Sequence, residues 1–233
     1  MMRKHRLSIL AVGLILCTAL CANAQNGECS DSGAPGDFSK SATSLCWQQG
    51  NEVRHLNIWS PDHSVLLKVD GDKGTLYRNG KVVGQRYRFL ADAEWLWSPD
   101  SKAAILTTLI ISPAPVVAGL TIFGSEHPLP DVTKTIRKDF SRNHPNLVCA
   151  RQVNVAGLTW LERSKQAVLV AEVPPSPRCD KADGYFEAYV ISVPKGEILV
   201  HYSMQETIKR FHDVLGPGLL EDIEAQKEER ATK

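Results

Sequence analysis

Catalysis or metal binding needs nucleophiles, bases or ligands at usable spacing, and the histidines are the first candidates. His55, His63, His127, His144, His201 and His212 are scattered, and none shows a spacing that builds a site locally. Asp70 and Asp72 in Asp70-Gly71-Asp72-Lys73-Gly74 could point at one hard cation. The next alternating position is not acidic and no Glu closes the loop, so the segment reads as a hairpin turn. The chain contains no Gly-x-Ser-x-Gly elbow, no His-Glu-x-x-His helix, no glycine-rich phosphate loop and no dinucleotide fingerprint. No catalytic residue, metal or cofactor is therefore expected from local sequence, which leaves open a site assembled from distant residues. Trp59, Trp95, Trp97 and Trp160 could line a stacking surface for a sugar or another ring, or could fill the core at strand ends.

The cysteines point to a compartment. Arg3, Lys4 and Arg6 precede an uncharged apolar run from Leu7 to Ala22 that ends in Ala22-Asn23-Ala24, the pattern of a secretory signal with cleavage before Gln25. The expected organisation is a signal peptide over 1–24, a disulfide-linked segment over 25–54, a β domain over 55–203 and a helical tail over 204–233. The exported chain keeps Cys29, Cys46, Cys149 and Cys179 in an oxidising space, most naturally the periplasm, which favours two disulfides. Three pairings are possible. Cys29 with Cys46 and Cys149 with Cys179 is favoured, because each bridge spans a loop-like stretch.

Charge excludes one class of partner. The formal net charge is +1, and loss of the three basic residues of the leader makes it −2. That leaves no basic footprint for nucleic acid. The most apolar later stretch, Ala103 to Phe123, is interrupted by Pro113 and Pro115 and reads as strands, so no stable membrane span is expected after cleavage.

The most informative feature is an internal echo. Ile58-Trp59-Ser60-Pro61-Asp62 is followed by Val65-Leu66-Leu67, and Leu96-Trp97-Ser98-Pro99-Asp100 by Ala103-Ala104-Ile105-Leu106. The two tryptophans are 38 residues apart, and Leu158-Thr159-Trp160-Leu161 before Ala167-Val168-Leu169-Val170 resembles a degraded third copy. In each full copy a strand ends in Trp, Pro fixes φ for the turn, Asp or Ser satisfies the turn's backbone, and an apolar strand returns. Asn79-Gly80 is a strong hairpin signal, since both residues tolerate positive φ. Residues 55–84 therefore read as a four-stranded meander.

On these residues the chain resembles the TolB-like family of WD-type β-propeller repeats, whose blades carry a W-S-P-D-G-K turn before an apolar strand. His63-Ser64 and Ser101-Lys102 stand where that family has Gly-Lys. The resemblance spans roughly residues 55–175 and implies a mainly β fold: a small or incomplete propeller-like array, with a helix after it. A strand over Gly119 to Phe123, a short helix or an irregular insertion over Asp131 to Ser141 and a hairpin around Pro194-Lys195-Gly196 are also expected. A final helix should run over about 204–215, with Ser203 as N-cap and Gly216-Pro217-Gly218 as its stop. The charged stretch from Glu221 to Lys233 reads as a frayed, solvated end. The function expected is a non-catalytic periplasmic interaction module that offers loops around 112–146 and 174–184 to a protein or envelope partner. A hydrolase or small-ligand binder with a site assembled from distant loops is the alternative.

Overall fold

A computed structural model describes residues 35–45, 48–49, 52–53, 55–83, 87–88, 93–110, 117–123, 131–174, 179, 182 and 184–231. The proposed leader, Cys29 and Cys46 lie outside the described residues, as do 112–116, 124–130, 175–178, 180–181 and 183 of the two loop segments; the described part of 112–146 is mostly a strand and a helix, not loop.

Among the described residues, fifteen short strands alternate with turns. They are β1 (Thr43–Ser44), β2 (Gln48–Gln49), β3 (Glu52–Val53), β4 (His55–Trp59), β5 (Val65–Asp70), β6 (Lys73–Arg78), β7 (Lys81–Val82) and β8 (Tyr87–Arg88), then β9 (Ala93–Trp97), β10 (Ala104–Ile110) and β11 (Val117–Phe123). Helix α1 (Val132–Asn143) follows, then β12 (Asn154–Leu161), β13 (Gln166–Glu172), β14 (Phe186–Ser192) and β15 (Ile198–Tyr202), and the chain closes with α2 (Met204–Phe211) and α3 (Pro217–Ala231). The main strands form three antiparallel sheets in succession: β4-β5-β6-β7 with β8 also on β6, then β1-β9-β10-β11, then β12-β13-β14-β15. β2 and β3 pair separately.

The three sheets are layered by their alternating apolar faces. Val65, Leu67 and Val69 of the first sheet meet Trp95, Ala104 and Leu106 of the second. The other face of the second sheet, with Leu96, Ile105 and Ile122, packs on Val155, Leu169 and Tyr189 of the third. At Leu158 an extra residue bulges out of β12, which flips the alternation and returns Trp160 to the same core as Val155. The far face of the third sheet, with Val168, Val170 and Phe186, is covered by Met204, Leu215, Leu219 and Ile223 from the C-terminal helices.

The helices form where the sequence caps them. Asp131 accepts a hydrogen bond from the Lys134 N–H at 3.0 Å, and Val132, Ile136 and Phe140 make the buried stripe of α1. Ser203 and Glu206 form a capping box at the start of α2. Gly216-Pro217-Gly218 is more than a stop. Pro217 opens α3, where its fixed φ suits the first turn and its missing N–H costs nothing, and Leu219 and Ile223 then bury a face of that helix. Glu221, Glu224, Lys227 and Glu228 of α3 are exposed, so this charged stretch is helical and packed through Leu219 and Ile223. The N-terminal strap closes on this corner: Gly216 N–H donates to Phe38 O at 2.9 Å and Lys40 N–H to Val214 O at 3.0 Å. Asp37 O sits where a Cβ on Gly216 would be, so only glycine fits there.

Cys149 and Cys179 form a disulfide across a sequence separation of 30, enclosing β12 and β13. Both are buried against the core between the second and third sheets. Cutting this bridge with a Cys149→Ser, Cys179→Ser double variant is expected to lower stability by roughly 3–4 kcal/mol, the loop-closure value for such a span. The shift in urea midpoint under non-reducing conditions measures it.

Candidate functional site

The two Trp-Ser-Pro-Asp turns are built alike. Ser60 Oγ donates to Asp62 Oδ1 at 2.8 Å and accepts from Val65 N–H at 3.0 Å, and Asp62 Oδ1 also accepts from Ser64 N–H. In the second copy Ser98 Oγ donates to Asp100 Oδ1 at 2.8 Å and accepts from Ala103 N–H at 2.8 Å, while Lys102 N–H bonds to Asp100. The Ser64 N–H and the Ser60 hydroxyl hold the Asp62 carboxyl far below its usual range. Burial works against Asp100, yet bonds from Ser164, Ser98 and Lys102 prevail and hold it low as well.

The turns also bond to one another. Asp62 N–H donates to Ser101 Oγ at 3.1 Å, and Asp100 N–H to Ser164 Oγ at 3.4 Å. His63, Ser101 and Ser164 all have positive φ, at 57°, 59° and 73°, which explains the glycine usual at this point of such turns. Serine accepts the strained backbone and uses its hydroxyl to link successive sheets. Ser101→Ala should therefore destabilise more than Ser101→Gly, by about 1 kcal/mol, because glycine relieves the left-handed backbone while both lose the bond. Chemical denaturation of the pair checks the order.

His63 occupies the same position in the first turn, where among the described residues no earlier turn packs against it. Its ring lies 6.0 Å from that of Trp59. Burial follows the same asymmetry. Trp95 and Trp160 are buried and Trp97 is partly buried, whereas Trp59 is 48% exposed. Registers Trp59↔Leu66, Leu66↔Tyr77 and Tyr77↔Val82 place these four side chains in one row across the outer face of the first sheet. The next row on that face, Asn57-Lys68-Thr75, is polar. A depression of about 400 Å³ lies over the apolar row, bordered by His63, Ser64, Lys68, Asn79 and Gly80. Asn79 and Gly80 have the positive φ values, 51° and 73°, that the Asn-Gly hairpin requires.

A second cluster arises from residues far apart in sequence. Glu187 on β14 is buried, and its Oε1 accepts from the Tyr185 hydroxyl at 2.6 Å while its Oε2 lies 2.7 Å from His201 Nε2. His144 Nε2, just past α1, stands 3.1 Å from Oε1, out of line for a hydrogen bond. The ring of His201 stacks on Tyr189 at 4.7 Å. Burial, then the bond to Glu187 and its charge, push the Tyr185 phenol well above its ordinary pKa. Burial and the Glu187 charge do the same to Tyr189. With Oε1 held by Tyr185 and Oε2 by His201, Glu187 orients the His201 imidazole. Sequence spacing misses this cluster. The one local signal is a carboxylate inside the otherwise apolar strand Phe186–Ser192.

Asp70 and Asp72 bind neighbouring side chains: Asp70 Oδ1 is 3.0 Å from His55 Nδ1, and Asp72 accepts two bonds from Arg88. Among the described residues no group of three His, Cys, Asp or Glu side chains could hold a metal ion, and no helix is long and apolar enough to cross a membrane. The structural repeat residues Trp59, Pro61, Asp62, Trp97, Pro99, Asp100 and Trp160 thus lie at or beside three consecutive hairpin turns, and among the described residues the first turn has no earlier turn against it. No family model, curated protein or solved structure matches this chain.

Proposed function

We propose that this protein is a non-catalytic interaction module of the periplasm or cell envelope, exported by its N-terminal segment and built as an open, incomplete propeller-like array. The layered sheets and their bonded Trp-Ser-Pro-Asp turns support the likeness to TolB-like repeats, with the helix α1 inserted after β11 and the C-terminal helices sealing one end. A buried disulfide is compatible with an oxidising compartment.

The observation that carries the reading is the inequality of the two ends. The third sheet buries most of its outer face under α2 and α3, with Val200 on its edge strand partly exposed, while the first sheet leaves the row Trp59-Leu66-Tyr77-Val82 facing outward with Trp59 and Val82 about half exposed. A large aromatic at such a position, ringed by polar groups, is the anatomy of a binding surface. Immobilised wild-type protein should retain an envelope component that the Trp59→Ala variant releases. Equal retention by both would remove this face from the reading.

The hydrolase alternative has one observation in its favour, the approach of His144 and His201 to the two oxygens of Glu187. Among the described residues no serine, threonine or cysteine is hydrogen-bonded to either ring, so the cluster lacks a nucleophile of the usual kind. It serves better as a clasp between α1 and the third sheet.

A further inference from the structure

We infer that the outer face of the first sheet binds a β-1,4-linked glycan, with Trp59 and Tyr77 as stacking platforms for alternate sugars. The inference rests on the reading of this face as the interaction surface and names its occupant.

Trp59 on β4 and Tyr77 on β6 are both register partners of Leu66 on β5, so they stand on the same face two strands apart. Two inter-strand steps amount to about 10 Å. That is about the advance of one disaccharide along a β-1,4-linked chain, whose sugars alternate in orientation, so two rings at this separation meet equivalent faces of sugars i and i+2. A pyranose presents a C–H face to an aromatic ring and a rim of hydroxyls around it. Trp and Tyr supply amphipathic platforms at small entropic cost, and Leu66 fills the floor between them.

The surroundings match the rim. The apolar row is bordered on one side by Lys68 in the polar row Asn57-Lys68-Thr75, and on the other by His63 and Asn79 in the two turns. Donors and acceptors therefore flank both edges of a groove that runs across the strands. Its volume of about 400 Å³ lies in the range of small-ligand sites. Lys68 is the cation beside the apolar floor, able to hydrogen-bond an amide oxygen or a carboxylate on the sugar.

The test uses the full exported chain with its disulfide intact, titrated with chitotetraose, cellotetraose and, as the α-linked control, maltotetraose. Tryptophan fluorescence and calorimetry report binding. At least one β-linked tetramer should bind and shift the emission, while maltotetraose should not. Trp59→Ala and Tyr77→Ala should each weaken binding about tenfold or more, and circular dichroism should stay unchanged. Failure of both β-linked sugars to bind, equal binding of the α-linked control, or binding indifferent to both variants would each overturn the assignment. If no sugar binds yet Trp59→Ala still abolishes retention of an envelope protein, the glycan is wrong and the interaction surface stands. If retention is also unchanged, both fall.

Discussion

Raising the pH from about 5 to about 9 is expected to weaken the folded state by on the order of 4 kcal/mol, and Glu94→Gln should remove most of that dependence. Glu94 lies on β9 among buried residues, pressed under Gly36, with the Phe38 N–H donating to its Oε1 at 3.0 Å. Burial pushes its carboxyl up to about 8, the Phe38 N–H partly offsets this, and the nearby Asp37 adds to it. Asp37 itself is raised by burial and by Glu221. The folded state therefore keeps a proton on Glu94 between its ordinary value of 4.5 and about 8, where the unfolded chain has lost it. The contribution of Glu94 must fall across that window as pH rises and be level on either side of it. Glutamine keeps the acceptor for Phe38 N–H and carries no charge. Urea midpoints of both proteins across the window measure the difference. Parallel pH profiles would contradict this account of Glu94.

Replacing Trp95 with alanine is expected to cost roughly 3–5 kcal/mol, the value for removing a large aromatic from a packed core. Trp95 is 1% exposed in the layer between the first and second sheets, edge-on to Trp97 at 5.1 Å between ring centroids and near the ring of Tyr87. It pairs with both Leu106 and Thr43, so its loss also loosens the strand that joins β1 to the second sheet. Trp95→Phe should recover part of the loss. A midpoint shift below about 1 kcal/mol for the alanine variant would show that the two sheets do not depend on this layer.

Local chemistry made much of this fold readable. Pro61 and Pro99 between Trp-Ser and Asp, the Asn79-Gly80 turn and the Ser203 cap each act through backbone geometry within a few residues, so their consequences follow from sequence. Trp59 and Trp97 show where such reasoning stops. Both sit in the same motif, yet one is exposed and the other partly buried, because only the order of stacking decides which sheet stands at the end. Pro217 is similar: a Gly-Pro-Gly run ends one helix, and only the burial of Leu219 and Ile223 against the third sheet starts the next. Glu187 gathers His201 and His144 across 14 and 43 residues of chain, contacts that tertiary packing alone creates. Glu94 carried a faint signal as the one charge in Ala93–Trp97, but its partner Phe38 lies 56 residues away.

The central claim is that the Trp59 face is a surface for binding and carries little of the fold's stability. The direct measurement is Trp59→Ala, with urea stability and retention of an envelope component determined on the same sample. The expected result is a stability change within about 0.5 kcal/mol, as for surface positions, together with loss of retention. A loss of roughly 3 kcal/mol or more with retention unchanged would mean that Trp59 is core after all, and would contradict it.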